Sequence, residues 1–307
     1  MRLAQVLRHL RPEPEPEPEH RVVTRQIVAA HQQAEPAANA SLLLTADEIA
    51  HFKAEGWVRK RGLVDPRLCE RCEDVAWGMC PPIVSDVVSR ADAESWIDPG
   101  ERGGWPMTKR EPGTGKRVMI DGAYFERRNN IKFVDAGVHP LVLSLFNEGP
   151  VQQVAAQLIG TPVKHAQSCK GIYFIFPTRV EGEHTKLGLH RDTQPFQVSA
   201  VVALDEIPAG VGGFTVLPRS HIPVYYSMGH EYHYEPVQPE HDALMRRLIK
   251  EATPLETTAH KGDCVFYHHR IVHSAGVNRT GFTDNPRIRK AALCDFMRSE
   301  RPMKEEL

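Results

Sequence analysis

His190 and Asp192 flank Arg191 just ahead of an apolar, extended run, Phe196–Leu204. In an extended chain, residues i and i+2 point to the same face, so an imidazole nitrogen and a carboxylate oxygen converge on one point. Both groups ligate metals, but two donors do not complete a catalytic site, and a third has to come from elsewhere. The segment GDCVFYHHRIVHSAGVN, residues 262–278, offers His268, His269 and His273. The Gly276 turn and Asn278 downstream favour His273, while a change of register would bring in one of the other two. Two imidazoles and one carboxylate on one face of an ion, with the opposite face open, are the donor set of a non-haem Fe(II) centre.

The letters His190-Arg191-Asp192 also match a protein-kinase catalytic loop. That loop requires Asn five residues after the Asp, where this chain has Gln197, and neither D-F-G nor a Gly-rich phosphate loop accompanies it. An ordinary surface pair is the plain alternative for an isolated H-x-D. A different kind of group stands in the strand-like run Ile288–Phe296, which contains Ala291 and Ala292. Arg289 lies in this run, with Arg287 two residues away on the same face. A planar guanidinium offers a carboxylate a bidentate fork that lysine cannot copy. Burying one there is costly unless an anionic partner joins it. Either arginine meets this description.

The elements that must position these groups change character along the chain. Thr45-Ala-Asp-Glu48 is a capping box that starts a helix, which Gly56 is placed to end. Trp57–Arg61 reads as a short strand, and Asp65-Pro66 opens a second helix. Residues 81–130 read as irregular, and their tryptophans, Trp96 and Trp105, either wall a substrate pocket or anchor a surface excursion. Pro140–Phe146 and Pro150–Ile159 read as helices, the second ending at Gly160. From Val163 the pattern turns extended: Gly171–Phe176, Phe196–Leu204, Phe214–Leu217, Cys264–Tyr267 and Ile288–Phe296 are β-rich runs divided by Gly and Pro turns. An insertion at 223–258 carries a helix, Pro239–Glu251. The expected fold is mainly β with flanking helices around a double-stranded β-helix core, a jelly-roll or cupin-like barrel. Such a barrel brings residues distant in sequence to one open end. The expected division is an arm at 1–41, one domain at 42–300 (helical preamble 42–162, jelly-roll core 163–298) and a tail at 301–307.

The remaining composition sets bounds. The chain has 307 residues, 41% hydrophobic and 25% charged, with a net charge of −1. That balance argues against nucleic-acid binding by bulk electrostatics, and no apolar stretch is long enough to span a bilayer. The alternation PEPEPEPE at Pro12–Glu19 favours an extended, solvated spacer, read as a tether with docking as the alternative. No signal peptide is read, so the expected location is cytoplasmic, and the terminal Lys304-Glu-Glu-Leu307 is taken as chance. Six scattered cysteines fit a reducing compartment, with Cys69-x-x-Cys72 read as helical packing or surface residues rather than a redox pair. His184 and His221 are expected in local hydrogen bonds.

Taken in order, residues 164–298 resemble the phytanoyl-CoA dioxygenase family of Fe(II)/2-oxoglutarate oxygenases. The matching elements are His190-x-Asp192, VVALDEI, Gly212-Gly213 and Phe214–His221 (FTVLPRSH). Gly262-Asp263, His273-x-x-Gly276-x-Asn278 and Arg289 within RIRKAALCDF follow. The resemblance implies that His190, Asp192 and His273 hold Fe(II), and that Arg289 rather than Arg287 grips the distal carboxylate of 2-oxoglutarate. It implies use of O2 with release of succinate and CO2, and ascorbate as a stimulant. Related halogenases carry a small residue in place of the carboxylate, so Asp192 implies hydroxylation or another oxidation. The implied substrate is a small organic molecule, lipid-like or a secondary metabolite, walled by residues 81–130 and 223–258. The chain departs from the family pattern at Ala275, where a serine is common, at Arg219, where glycine is common, and in a longer loop, RTGFTDNP, before Arg287. Ala275 and that loop support a rival reading, a jelly-roll protein that holds a metal or small anion without redox chemistry.

Overall fold

The computed structural model describes residues 42–97, 111–113, 116, 118–127, 129–179, 187–192, 197–228 and 239–299. The Pro-Glu arm, Trp105, His184 and the C-terminal tail lie outside them. Helix α1 (Ala46–Glu55) starts as its capping box dictates. Thr45 Oγ1 accepts from the Glu48 amide at 3.2 Å, and Glu48 Oε2 accepts from the Thr45 amide at 2.7 Å. The helix stops at Gly56, whose φ of 82° is left-handed, and a Cβ at that position would lie 2.5 Å from the His221 ring. Strand β1 (Trp57–Lys60) follows directly. Helix α2 (Pro66–Gly78) is capped by the Asp65 carboxylate, which accepts from the Arg67 amide. Cys69 and Cys72 lie on its buried side, and burial pushes both thiols up to about 12. They are packing residues, inert as nucleophiles at neutral pH.

Strands β2 (Ala123–Arg127) and β3 (Asn130–Phe133) and helices α3 (Pro140–Asn147) and α4 (Pro150–Ile159) lead to β4 (Gly171–Ile175). The chain continues through β5 (Val198–Ala203), β6 (Phe214–Val216), α5 (His221–Met228), α6 (Pro239–Glu251) and β7 (Leu255–Glu256). Strands β8 (Cys264–His268), β9 (His273–Ala275) and β10 (Arg289–Phe296) complete it. Two antiparallel sheets result, one ordered β1-β8-β5-β10-β4-β3-β2 and the other β7-β6-β9. Strand alternation sends Ile172, Phe174, Ala200, Val202, Phe266, Ala292 and Phe296 outward, into one core with the helices. Val201, Val265, Tyr267 and Ala291 turn inward and meet Phe214 and Val216 of the small sheet. This is the two-sheet jelly roll with helices on one outer face that the strand periodicity predicts. Among the described residues no helix is long and apolar enough to cross a membrane.

Three local expectations need correction. Residues 42–162 are not a purely helical preamble, because β1, β2 and β3 all belong to the large sheet. Residues 81–130 are not irregular throughout, since they hold a helical turn at Pro82–Ser85, a 3-10 turn at Ala93–Trp96 and strand β2. Strand β2, AYFER, carries only Tyr124 and Phe125 as strand-favouring residues and pairs with β3, which in turn pairs with β4. Helix α5 was also absent from the sequence reading. Its HIPVYYSM run is rich in β-branched and aromatic residues of modest helix propensity, its proline falls in the first turn where a helix tolerates it, and Val224 is buried with Leu217 and Val272. Within the 81–97 segment, Trp96 packs on the core and donates from Nε1 to the Ser89 carbonyl at 2.7 Å, which makes it an anchor.

Gly171 begins β4 with φ 99°, and a Cβ there would lie 2.2 Å from the Phe133 carbonyl oxygen. Gly171→Ala therefore combines a strained backbone with a backbone clash, and should cost about 2–4 kcal/mol. In thermal unfolding this should appear as a loss of about 5–10 °C. A melting temperature equal to the parent's would refute this account of the strand entry.

Candidate metal centre

His190 and His273 are far apart in sequence and opposite each other in space. They form an isolated antiparallel bridge in which each amide donates to the other's carbonyl, at 2.9 and 2.8 Å. Paired residues share a face, so the two imidazoles leave the ribbon together, their centroids 4.7 Å apart. Asp192, two residues beyond His190, falls on that face. Its Oδ1 lies 3.9 Å from His190 Nε2 and its Oδ2 3.6 Å from His273 Nε2. One ligand atom from each of the three residues falls within 4.8 Å of the others, a spacing that a single cation can bridge.

The local backbone also prepares the rings. His190 Nδ1 lies 2.7 Å from the Gly188 carbonyl and His273 Nδ1 lies 3.0 Å from the Ile271 carbonyl. A carbonyl can only accept, so in each neutral ring the proton sits on Nδ1 and the Nε2 lone pair faces the partners. Burial pushes His273 down to about 4, which keeps it neutral. Burial alone would raise the Asp192 carboxyl, but the charge of His273, once that ring is protonated in acid, and the Lys170 ammonium outweigh it and hold the group below the usual carboxylate range. The result is one carboxylate with two imidazole lone pairs, a donor set that fits a divalent first-row metal.

The competing residues go elsewhere. His268 packs against His221 and Phe52, with its Nδ1 accepting from the Arg270 amide. His269 is held between the Gln197 carbonyl and Arg270 Nε. Burial lowers these two rings to about 2 and about 4. His221 hydrogen-bonds the Lys53 carbonyl at 3.1 Å, a contact distant in sequence rather than local. Of the two arginines, Arg289 is 2% exposed and lies on the inward face of β10. Its Nε has no hydrogen-bond partner, and its side chain forms no ion pair among the described residues. Burial pulls the guanidinium down to about 10, despite Tyr173, Tyr267 and Glu256 nearby. Arg287 is only partly buried, and its carbonyl is tied by Asn278 and Thr280. The buried Arg289 nitrogen is what a ligand carboxylate would satisfy.

Several residues at the site were invisible to sequence reading. Lys170 Nζ lies 3.0 Å from Asp192 Oδ2 and 3.1 Å from Asp295 Oδ1, and the Tyr267 hydroxyl donates to Asp192 Oδ2 at 3.3 Å. The alternation in CVFYH could have suggested an inward Tyr267; nothing in the neighbourhood of Lys170 pointed to Asp192. Ser274, the residue before Ala275, donates to the Ala275 carbonyl and so faces its own strand. Asn278 Nδ2 donates to the Ile175 and Arg287 carbonyls at 2.8 and 2.6 Å, joining the exit of β9 to the loop that delivers β10. Behind the ribbon, Leu189 and Val272 pack with Met245 and Leu248 of α6, and Arg191 Nε donates to His241 Nε2 at 2.8 Å. The insertion helix, expected at the substrate wall, thus backs the ligand-bearing strands.

A guanidinium whose buried Nε has no partner among the described residues carries a desolvation cost in the ligand-free fold. Arg289→Met should therefore raise the melting point of the ligand-free protein, by on the order of 1–3 kcal/mol in stability. A lowered melting point would mean that Arg289 already stabilises the fold through a partner of its own.

A family model described as phytanoyl-CoA dioxygenase (PhyH) matches residues 52–287. Among solved structures, AviO1 from Streptomyces viridochromogenes Tue57 is 16% identical, with a TM-score of 0.53 over 86% of this chain and 99% of that one. SnoK, a non-heme alpha ketoglutarate dependent carbocyclase from nogalamycin biosynthesis, is 16% identical, with a TM-score of 0.54 over 88% of this chain and 91% of that one. No curated protein sequence matches the chain. At such identity the two structures establish the shared fold, and the family match extends over β1 to β9 and the triad, ending just before β10. This chain belongs to the phytanoyl-CoA dioxygenase (PhyH) family.

Proposed function

We propose that this protein is a non-haem Fe(II)/2-oxoglutarate-dependent dioxygenase that hydroxylates a small organic substrate, lipid-like or a secondary metabolite. The observation that carries the reading is the meeting of His190, Asp192 and His273 in a barrel that also buries Arg289, whose Nε has no hydrogen-bond partner among the described residues. His190 and His273 would offer Nε2 and Asp192 a carboxylate oxygen, leaving the remaining positions of the ion to small ligands. Fe(II), once bound with 2-oxoglutarate and O2, supplies the oxidising power, with succinate and CO2 as co-products. Arg289 would orient the cosubstrate by its distal carboxylate, through a bidentate fork that also ends the guanidinium's isolation. Phe214 and Tyr267 pack on the His273 ring and keep water from that side of the ribbon. SnoK, on the same fold, is a carbocyclase. Hydroxylation is the reading here because it needs no special geometry in the substrate.

The ligand assignment is tested by metal binding. The His190→Ala/Asp192→Ala double variant should lose Fe(II) in anaerobic equilibrium dialysis, while His269→Ala retains it. Iron bound by the double variant at parental affinity would remove the triad from the reading.

Arg289 has its own test. Arg289→Lys keeps the charge and loses the fork, and hydrogen bonds to charged groups contribute roughly 1.5–3 kcal/mol each. Anaerobic titration of the Fe(II) protein with 2-oxoglutarate should therefore show about ten- to a hundredfold weaker binding. Arg287→Lys should bind as the parent does, and a reversed pattern would move the anchor to Arg287. Succinate release with Fe(II), ascorbate and 2-oxoglutarate separates the oxygenase from a metal- or anion-binding protein of the same fold. Metal bound with no succinate released under any condition would favour the latter.

A further inference from the structure

The protein treats the two oxygens of Asp192 differently. Oδ2 receives the Lys170 ammonium at 3.0 Å and the Tyr267 hydroxyl at 3.3 Å. Among the described residues neither donor reaches Oδ1, which lies 3.9 Å from His190 Nε2, while Oδ2 also lies 3.6 Å from His273 Nε2. Lys170 is placed with care. It stands one residue before β4, and its amide donates to the Leu293 carbonyl of β10 at 2.8 Å. Its side chain is 16% exposed and its ammonium bridges Asp192 to Asp295, 3.1 Å away. Asp295 is itself fixed by the Ser199 hydroxyl on β5. Ordering and burying a lysine side chain is unfavourable in both entropy and solvation unless its ammonium is well paired. Here it is paired on both sides, in a bridge anchored to two strands of the large sheet.

We infer that Lys170 is a positioning residue for Asp192: together with Tyr267 it pins Oδ2, fixes the rotation of the carboxylate, and leaves Oδ1 to the cation shared with His190 and His273. The inference rests on the triad being a divalent-cation site. Asp295 is part of the device, because its carboxylate offsets the lysine charge that would otherwise repel that cation. A carboxylate held by one oxygen binds a metal through the other, and one that can turn freely is able to chelate through both. The partners that orient a ligand are worth about ten- to a hundredfold in metal affinity.

The test uses Co(II) as probe with the full-length protein, titrated without oxygen or 2-oxoglutarate and followed by its visible absorption. The parent should bind and Asp192→Ala should not. Lys170→Met, which keeps the length and apolar stem of the side chain, should bind Co(II) about ten- to a hundredfold more weakly. Its bound spectrum should also lose intensity, as the freed carboxylate raises the coordination number. Loss of general packing alone would lower the melting temperature without that spectral change. Should Lys170→Met fail to fold, Tyr267→Phe deletes only the other donor to Oδ2 and should move affinity and spectrum in the same direction, by less. Unchanged or tighter Co(II) binding by Lys170→Met would overturn the inference, since the ammonium would then merely stand where the cation's charge acts. A parent that does not bind Co(II) would remove the triad reading itself, and this inference with it.

Discussion

His190 and His273 exchange both of their backbone hydrogen bonds across an antiparallel bridge, and their imidazoles therefore leave the ribbon side by side. The rest of the site follows from that pairing. A slip of one residue in either segment would send one ring to the opposite face. The bridge places His273 within reach of Asp192 and fixes the carbonyls of Gly188 and Ile271 that hold the Nδ1 protons. The pairing continues into β6 and β9, so the small sheet acts as the ruler for the two imidazoles.

The interior that the two sheets enclose is unusually polar for a barrel core. Asp192, Lys170, Asp295 and Tyr267 satisfy one another, and the burial cost of each is offset by a partner at hydrogen-bond distance. Arg289 is the exception. Its neighbour Lys290, on the opposite face of β10, is paired with both Glu73 and Asp205 at 2.9 Å, whereas the Arg289 Nε has no partner among the described residues. Two adjacent cations on one strand thus differ in their surroundings: the Lys290 ammonium is paired within the fold, and the Arg289 Nε is not, among the described residues.

The outer layers have a supporting part. Met245 and Leu248 of α6 and Leu189 pack on one cluster with Val272, and Leu189 and Val272 immediately precede His190 and His273. Asn278, fully buried, gathers the Ile175 and Arg287 carbonyls and so sets the point at which the long loop hands over to β10. The longer loop is therefore compatible with an inward Arg289, because its length is absorbed between Asn278 and Arg287.

Much was legible in the amino-acid sequence where the determinants are local. Thr45, Gly56, Asp65-Pro66 and Gly160 marked helix ends through capping chemistry, and all four stand where they were read. The spacing of His190 and Asp192 placed both on one face because strand geometry has a period of two. The β-rich runs from Gly171 onward implied two sheets. Only the tertiary structure decided which histidine of three stands beside Asp192, which of Arg287 and Arg289 turns into the barrel, and that Lys170 reaches the ligand carboxylate. It also made strands of β2 and β3 and a helix of His221–Met228. Each of these depends on the register of strands far apart in the chain, and register is set by the simultaneous pairing and burial of whole faces. No window of local periodicity contains that information.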